Sequence, residues 1–379
     1  MTDLALYIHW PYCARICPYC DFNVVRAGRD ADEPRVLADA IVRDLEAQAE
    51  RIGERRLVSI FFGGGTPSLM APDQAARMIE TAKRVFTAAD DLEITLEANP
   101  TDAEAERFAA FAAAGVQRLS LGVQALNDEA LKVLGRNHDA AEARRAAEVA
   151  RGAFARVSVD LIYALPGQTP GAWRRELEEA LAALEPEHVS PYQLTIEAGT
   201  AFDRAVARGT LVVPDEDVGA ELFDVTQEVL TREGFDAYEV SNHARGDAAR
   251  SRHNLAIWRG AEYVGVGPGA HGRVVLDGVR TATRAARGVA DYVGRVAETG
   301  VGLDVVDPLS AREVADERVM FGLRIREGVA VEAAGLSPEA PKVAMLVDLG
   351  LVEIEDGRLR ATAAGRLVLD RVIKELILE

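Results

Sequence analysis

Cysteine is scarce in this chain. Its 379 residues contain three, too few for a disulfide framework. No run of about 18 apolar residues occurs, so no segment reads as a membrane-spanning helix. The start carries no signal-peptide pattern. Basic side chains are outnumbered, 43 Lys and Arg against 61 Asp and Glu, for a net charge of −18. A surface this acidic repels phosphate backbones, and nucleic acid is not expected as a partner. Low-complexity tracts and solenoid-type repeats are missing too. What is present is the balance of an ordinary globular protein, 49% hydrophobic and 27% charged. At ~150 residues per domain the length allows two or three domains, or one large barrel with an appendage. The expectation is a soluble α/β protein of the cytoplasm.

Short apolar runs alternate with stretches at helical spacing. The runs Leu4–Trp10, Leu57–Phe62, Leu92–Glu97, Arg118–Val123, Arg156–Ile162 and Val189–Thr195 read as six strands. Between them, residues 36–52, 74–86, 103–114, 128–134, 140–151 and 170–184 read as helices, the last opening on Pro170. Strands that are apolar throughout argue for a parallel sheet covered by helices. Periodicity alone leaves an open doubly wound sheet and a partial (β/α) barrel both standing. After residue 200 a helix over 217–233, a short strand over 237–241 and a Gly-rich loop over 264–272 are expected. The tail reads as helices 311–323 and 340–349, a hairpin over 351–359 and a last helix 363–378. This order resembles a winged helix. Its Glu353, Glu355, Asp356 and Glu379 make an acidic face suited to structural or partner contacts rather than DNA. Three units follow: a core over 1–200, a connecting α/β segment over 201–305, and a winged-helix-like unit over 306–379.

All three cysteines fall in one eight-residue window, Cys13-Ala14-Arg15-Ile16-Cys17-Pro18-Tyr19-Cys20. Such clustering points to a metal site or redox chemistry. The window follows the first strand, which puts the sulfurs at the C-terminal end of the sheet, where α/β folds build sites. Zinc could complete a tetrahedron with His9 or water. The Cys-x3-Cys-x2-Cys spacing also lets a short loop grip three corners of a [4Fe–4S] cluster. An iron without a protein ligand is then open to the amino and carboxylate groups of S-adenosylmethionine, beside a sulfonium that one electron can cleave to a 5′-deoxyadenosyl radical.

The cysteine motif, its place after strand one, and Gly63-Gly64-Gly65-Thr66-Pro67 after strand two resemble the radical S-adenosylmethionine superfamily. More closely they resemble its coproporphyrinogen dehydrogenase-like branch, which includes oxygen-independent dehydrogenases and haem chaperones. The resemblance runs from Tyr7 through the tail. It implies a partial (β/α)6 TIM-like barrel with a C-terminal α+β, winged-helix-like domain, a [4Fe–4S] cluster on Cys13, Cys17 and Cys20, and bound S-adenosylmethionine. By the same resemblance Tyr7, Tyr19, Gly64, Gly65, Thr66, Glu97, Gln124, Arg136 and Asp160 match positions that contact S-adenosylmethionine. Glycines allow close approach of the backbone, Arg136 suits a carboxylate, and Asp160 or Gln124 suits a ribose hydroxyl. Tyr19 matches an aromatic position that stacks on adenine.

Within the branch, two activities compete. One is radical decarboxylation of porphyrinogen propionates, and the other is binding of haem and its delivery to respiratory haem proteins. The dehydrogenases resemble Cys-x3-Cys-x2-Cys-x-Cys, whereas here Cys20 is followed by Asp21 and Phe22. They also carry a long segment before the first strand, which here begins at Leu4. The stretch His253-Asn254-Leu255-Ala256-Ile257-Trp258 resembles a His-Asn-x-x-Tyr-Trp motif of the haem chaperones, with Ile257 in place of Tyr. It precedes the Gly-rich segment Gly265-Val266-Gly267-Pro268-Gly269-Ala270-His271-Gly272. The resemblance therefore implies haem as a third cofactor, with His253, Asn254, Trp258 and His271 as candidate contacts. It also implies client haem proteins, an electron donor of unknown identity, a possible homodimer, and a cytoplasmic site of action that touches the membrane at delivery. Turnover of S-adenosylmethionine is left open.

Overall fold

The computed structural model describes residues 1–28, 30, 32–102 and 105–377. Six parallel strands form its centre: β1 (Asp3–Trp10), β2 (Arg56–Gly64), β3 (Thr87–Ala98), β4 (Arg118–Gln124), β5 (Arg156–Tyr163) and β6 (His188–Gln193). Their order in the sheet follows their order in the chain. That is the wall of a barrel. A doubly wound sheet would reverse its order partway. Helices α1 (Glu33–Ile52), α2 (Pro72–Val85), α3 (Ala105–Ala113), α4 (Ala140–Ala153) and α5 (Pro170–Leu184) return the chain over the outer face. Residues 103 and 104, read as the start of α3, lie outside the described residues.

Local chemistry sets these elements. Helix α4 opens on a capping box: Glu142 N–H donates to Asp139 Oδ1 at 2.7 Å, and Asp139 N–H donates to Glu142 Oε2 at 2.9 Å. Such a cap contributes about 1 kcal/mol. Its buried face is all alanine, at 143, 146, 147 and 150, which lets the helix sit close to the sheet. The strands supply Leu6, Ile8, Ile60, Phe62, Ile94, Leu96, Leu119 and Leu121 to one continuous core, each fully buried.

The sheet does not stop at six strands. Strand β7 (Glu262–Val266) lies parallel to β1 on its free edge, and β8 (His271–Leu276), β9 (Val279–Ala285) and β10 (Leu303–Pro308) continue antiparallel beyond it. At the opposite edge the short pairs His243–Ala244 and Asp236–Ala237 close the series of twelve. The Gly-rich run 264–272, read as a loop, is thus strand, turn and strand. Val264 and Val266 are fully buried, and a Cβ at Gly265 would collide with the His271 carbonyl. Glycine there lets two backbones close on one another. The strand expected over 237–241 shrinks to Asp236–Ala237.

The tail packs helices Ala311–Gly322, Pro341–Asp348 and Leu369–Ile377 on a three-stranded sheet of Val329–Ala330, Arg358–Ala361 and Val352–Glu355. It has a separate core that includes Val319, Leu346, Leu359 and Val372. The helix expected over 363–378 is two helices, Ala363–Leu367 and Leu369–Ile377, because Val368 leaves helical geometry (φ −122°, ψ 29°). Residue 378 lies outside the described residues. No helix among the described residues is long and apolar enough to cross a membrane.

Candidate functional site

Parallel strands bring their C-terminal ends to one side, and the site is built there. In register, Trp10 pairs with Gly64, Glu97 with Ser120, Gly122 with Asp160, and Asp160 with Ser190. The loop after β1 carries the three cysteines over these ends. A cavity of about 410 Å³ opens beneath it, within the range of small-molecule sites. Its lining includes Cys13, Cys17, Cys20, Tyr19, Gly64, Gly65, Thr66, Glu97, Gln124, Arg136 and Asp160. Eleven of the twelve residues expected to hold the cluster and S-adenosylmethionine thus meet in one place.

Charge in the cavity is arranged. Arg136 Nη1 donates to Cys17 Sγ at 3.4 Å and Nη2 to the Gly122 carbonyl at 2.9 Å. Gly122 makes this possible, since a Cβ there would meet Gln124 Nε2 at 3.1 Å and Arg136 Nη2 at 3.5 Å. Gly64 N–H donates to Glu97 Oε2 at 3.2 Å. Burial, with Asp160 close by, pushes the Glu97 carboxyl up to about 8. Ser120 Oγ donates to Asp160, 3.2 and 3.1 Å from its two oxygens. Burial also raises Asp160, against the hydrogen bonds of Ser190 and Ser120 and the charge of Arg118.

The donor set fits an iron–sulfur cluster and a polar ligand. Burial pushes the Cys20 thiol up to about 11 and raises Cys13 as well. Thiolates here therefore need a cation beside them, which cluster iron would provide. His9 is not available as a fourth ligand. Its Nε2–H donates to the Asn23 carbonyl at 2.8 Å, and its Nδ1 sits 3.0 Å from the Tyr7 hydroxyl. Meanwhile Gln124 Oε1 and Arg136 Nε are buried without partners. Buried polar atoms left this way mark a place for a ligand.

A second cavity of about 540 Å³ adjoins the first and shares Asp21, Phe22, Gly64 and Glu97 with it. Tyr7 lines this one rather than the cysteine cavity. His253 and His271 also face it, with Arg284 and Arg287 at its side. His253 comes from the short helix α6 (Arg252–Trp258). Its ring stacks on Phe61 with centroids 4.9 Å apart, its Nδ1 lies 2.9 Å from Ser59 Oγ, and its N–H donates to Glu93 Oε1. Burial pushes its imidazole down to about 4, so it is neutral at neutral pH. His271 is exposed as a residue, yet its ring is partly sheltered against the cavity, and that desolvation, with the charges of Arg273, Arg284 and Arg287, lowers it too.

Asn254 and Trp258 line neither cavity. Trp258 Nε1 donates to Glu239 Oε2 at 3.0 Å, and its ring meets Phe321 edge-on at 5.5 Å with Arg324 over its face. The tryptophan expected to pack on a macrocycle instead packs α6 against the tail. Sequence reasoning passed over Gly122 and Tyr192, which line the cysteine cavity, and Asn23, which lines the second. A glycine inside an otherwise apolar strand was the one available signal.

Comparison with known proteins identifies the family. The model of the radical SAM superfamily matches residues 7–181, and that of the HemN C-terminal domain matches residues 309–368. Together they describe a radical S-adenosylmethionine core followed by a HemN-type tail. The protein named radical S-adenosyl methionine domain-containing protein 1, mitochondrial, of Bos taurus is 39% identical over 98% of this chain and 87% of its own. The heme chaperone HemW of Mycobacterium tuberculosis is 34% identical over 98% of this chain and 94% of its own. The solved coproporphyrinogen III oxidase HemN of Escherichia coli superposes with a TM-score of 0.82, covering 99% of this chain and 90% of its own at 23% identity, a likeness of fold. The chain belongs to the radical S-adenosylmethionine superfamily, in the branch that its HemW-named relatives share with HemN.

Proposed function

We propose that this protein is a haem chaperone: it holds a [4Fe–4S] cluster on Cys13, Cys17 and Cys20, binds S-adenosylmethionine beside it, and carries haem to respiratory haem proteins. The observation that carries the reading is the second cavity, where two histidines held neutral and two arginines meet next to the cysteine loop. Neutral imidazole ligates haem iron, and guanidinium suits propionate. With Nδ1–H donated to Ser59, His253 would keep its lone pair on Nε2. Cluster and S-adenosylmethionine together supply one-electron chemistry when bound. Arg136 would meet the methionine carboxylate, and Gln124 or Asp160 a ribose hydroxyl. The cluster serves handover or pairing of two copies more readily than turnover. Names of relatives place some of them in mitochondria, and for this chain we propose the cytoplasm.

The second reading, radical decarboxylation of coproporphyrinogen, draws on the shared fold with HemN. Against it stands Phe22, exposed between the two cavities where the dehydrogenase pattern has its fourth cysteine. One anaerobic preparation separates the two. Haem titration should give a saturable Soret shift that weakens at least tenfold in His253→Ala, while coproporphyrinogen with reductant and S-adenosylmethionine should give no protoporphyrinogen. Turnover above background would reverse the choice. A shift untouched in His253→Ala would pass the ligand role to His271.

A further inference from the structure

Just past the third cysteine, Asn23 lines the second cavity and bonds to backbone far away in the chain. Its side-chain Nδ2 donates to two carbonyl oxygens, Pro268 at 2.9 Å and Arg287 at 2.9 Å. Its own carbonyl accepts from His9 Nε2 at 2.8 Å. Gly269, at φ +76°, leaves the space the amide occupies, since a Cβ there would lie 2.6 Å from Asn23 Nδ2. One amide therefore ties the cysteine loop to the turn between β7 and β8 and to Arg287, two residues before α7 (Val289–Thr299). That turn leads into His271, and Arg287 lines the second cavity.

The turn is anchored from its other side independently of the loop. Gly267 N–H donates to the Tyr292 hydroxyl at 3.0 Å, and that hydroxyl donates to Asp44 Oδ2 at 2.7 Å, both groups fully buried. Hence the turn is held by Tyr292 and by backbone bonds from Gly269 N–H to the Ala286 carbonyl and Ala285 N–H to the Ala270 carbonyl, and its side-chain link to the cysteine loop runs through Asn23. The loop backbone spans Cys13 to Cys20 with the bond from Cys20 N to the Cys17 carbonyl inside it. Fixing three sulfurs on one cluster restrains that whole stretch, and with it the residue three positions on.

We propose that Asn23 is a positioning residue that couples the cysteine loop to the second cavity, so that haem binds more tightly when the cluster is in place. The inference rests on the haem reading given above. Its physical basis is pre-organisation: a cavity wall already ordered by cluster ligation costs less to order on haem binding. Linkage makes the effect reciprocal, so haem should also slow the loss of iron.

The test is anaerobic haem titration of cluster-loaded and iron-free protein, with iron content measured in each sample. For the native chain the two dissociation constants should differ by at least about 5-fold, the lower end of ordinary coupling. In Asn23→Ala the ratio should fall below about 2. Asn23→Asp should do the same, because a carboxylate cannot donate to two carbonyl oxygens. Gly269→Ala should reproduce it with Asn23 intact, and serves if the Asn23 variants do not fold. A merely structural role would weaken haem binding equally in both states and leave the ratio unchanged, which would overturn the proposal. So would a native ratio of one. Absence of any Soret change in either native state would instead remove the haem reading and this inference with it.

Discussion

Gln124 shows how a single residue at the site is held against its own preference. It ends β4 with φ at 69°, a left-handed backbone that costs a non-glycine residue about 1 kcal/mol or more. Its Oε1 is buried with no partner. Strain and an unmet acceptor in one side chain are tolerated where a ligand repays them. Gln124→Gly should therefore gain up to ~1 kcal/mol of stability in a thermal melt, since glycine adopts this backbone freely. The same variant should bind S-adenosylmethionine about tenfold more weakly by calorimetry, the value of one lost hydrogen bond to a buried acceptor. Unchanged affinity would remove Gln124 from the binding set.

Among the elements, α6 links two parts of the molecule. His253 near its start faces the second cavity, while Trp258 at its end meets Phe321 and Arg324 of the tail. The same contact is reinforced by Arg366, whose Nη2 donates to the Glu239 carbonyl at 2.8 Å. Trp258→Ala should cost about 2 kcal/mol, less than the 3–5 kcal/mol of a fully buried tryptophan, because this ring is only half-buried. Amide exchange should rise over residues 311–377 while haem stoichiometry holds. A fall in stoichiometry with no change in exchange would return Trp258 to the haem site.

This helix also marks the limit of what the chain reveals about itself. The six core strands were legible because each is a short apolar run bounded by turn residues, and the cysteine loop because its spacing serves little else. Strand β7 was hidden: its Gly265 and the following Gly267 read as loop residues, and the approach of the His271 and His9 carbonyls explains them. Trp258 was assigned by motif to haem, yet its partners lie 19 and 63 positions away, at Glu239 and Phe321. Asn23 gave no signal, because its partners at Pro268 and Arg287 are distant in sequence. Local pattern reports periodicity and spacing, and such long-range pairings leave no trace in it.

At the scale of the whole molecule, burial sets the response to acid. All six histidines are held below their ordinary value with burial as the first cause, His253 and His138 at about 4 and His243 at about 3. A neutral histidine in the fold contributes its full share above pH ~6.5, the unfolded value, and loses it as pH falls toward the folded value. The raised carboxyls of Glu97, Asp160 and Glu239 act in the opposite sense, gaining as pH falls. Comparing variants isolates one term. Between pH 7 and 4.5 the native chain should lose about 2.5 kcal/mol more than His243→Asn does in denaturant titrations. Parallel pH profiles would show that His243 does not resist its proton.

The central claim is that one chain holds a three-cysteine cluster and, next to it, haem. It is tested most directly by the absorption spectrum of a single anaerobically reconstituted sample before and after one equivalent of haem. The account predicts a brown protein with about four irons per chain, to which haem adds a sharp Soret band that saturates near one equivalent with the cluster retained. A colourless protein carrying one zinc, or a brown one whose spectrum changes only as free haem in buffer would, contradicts it.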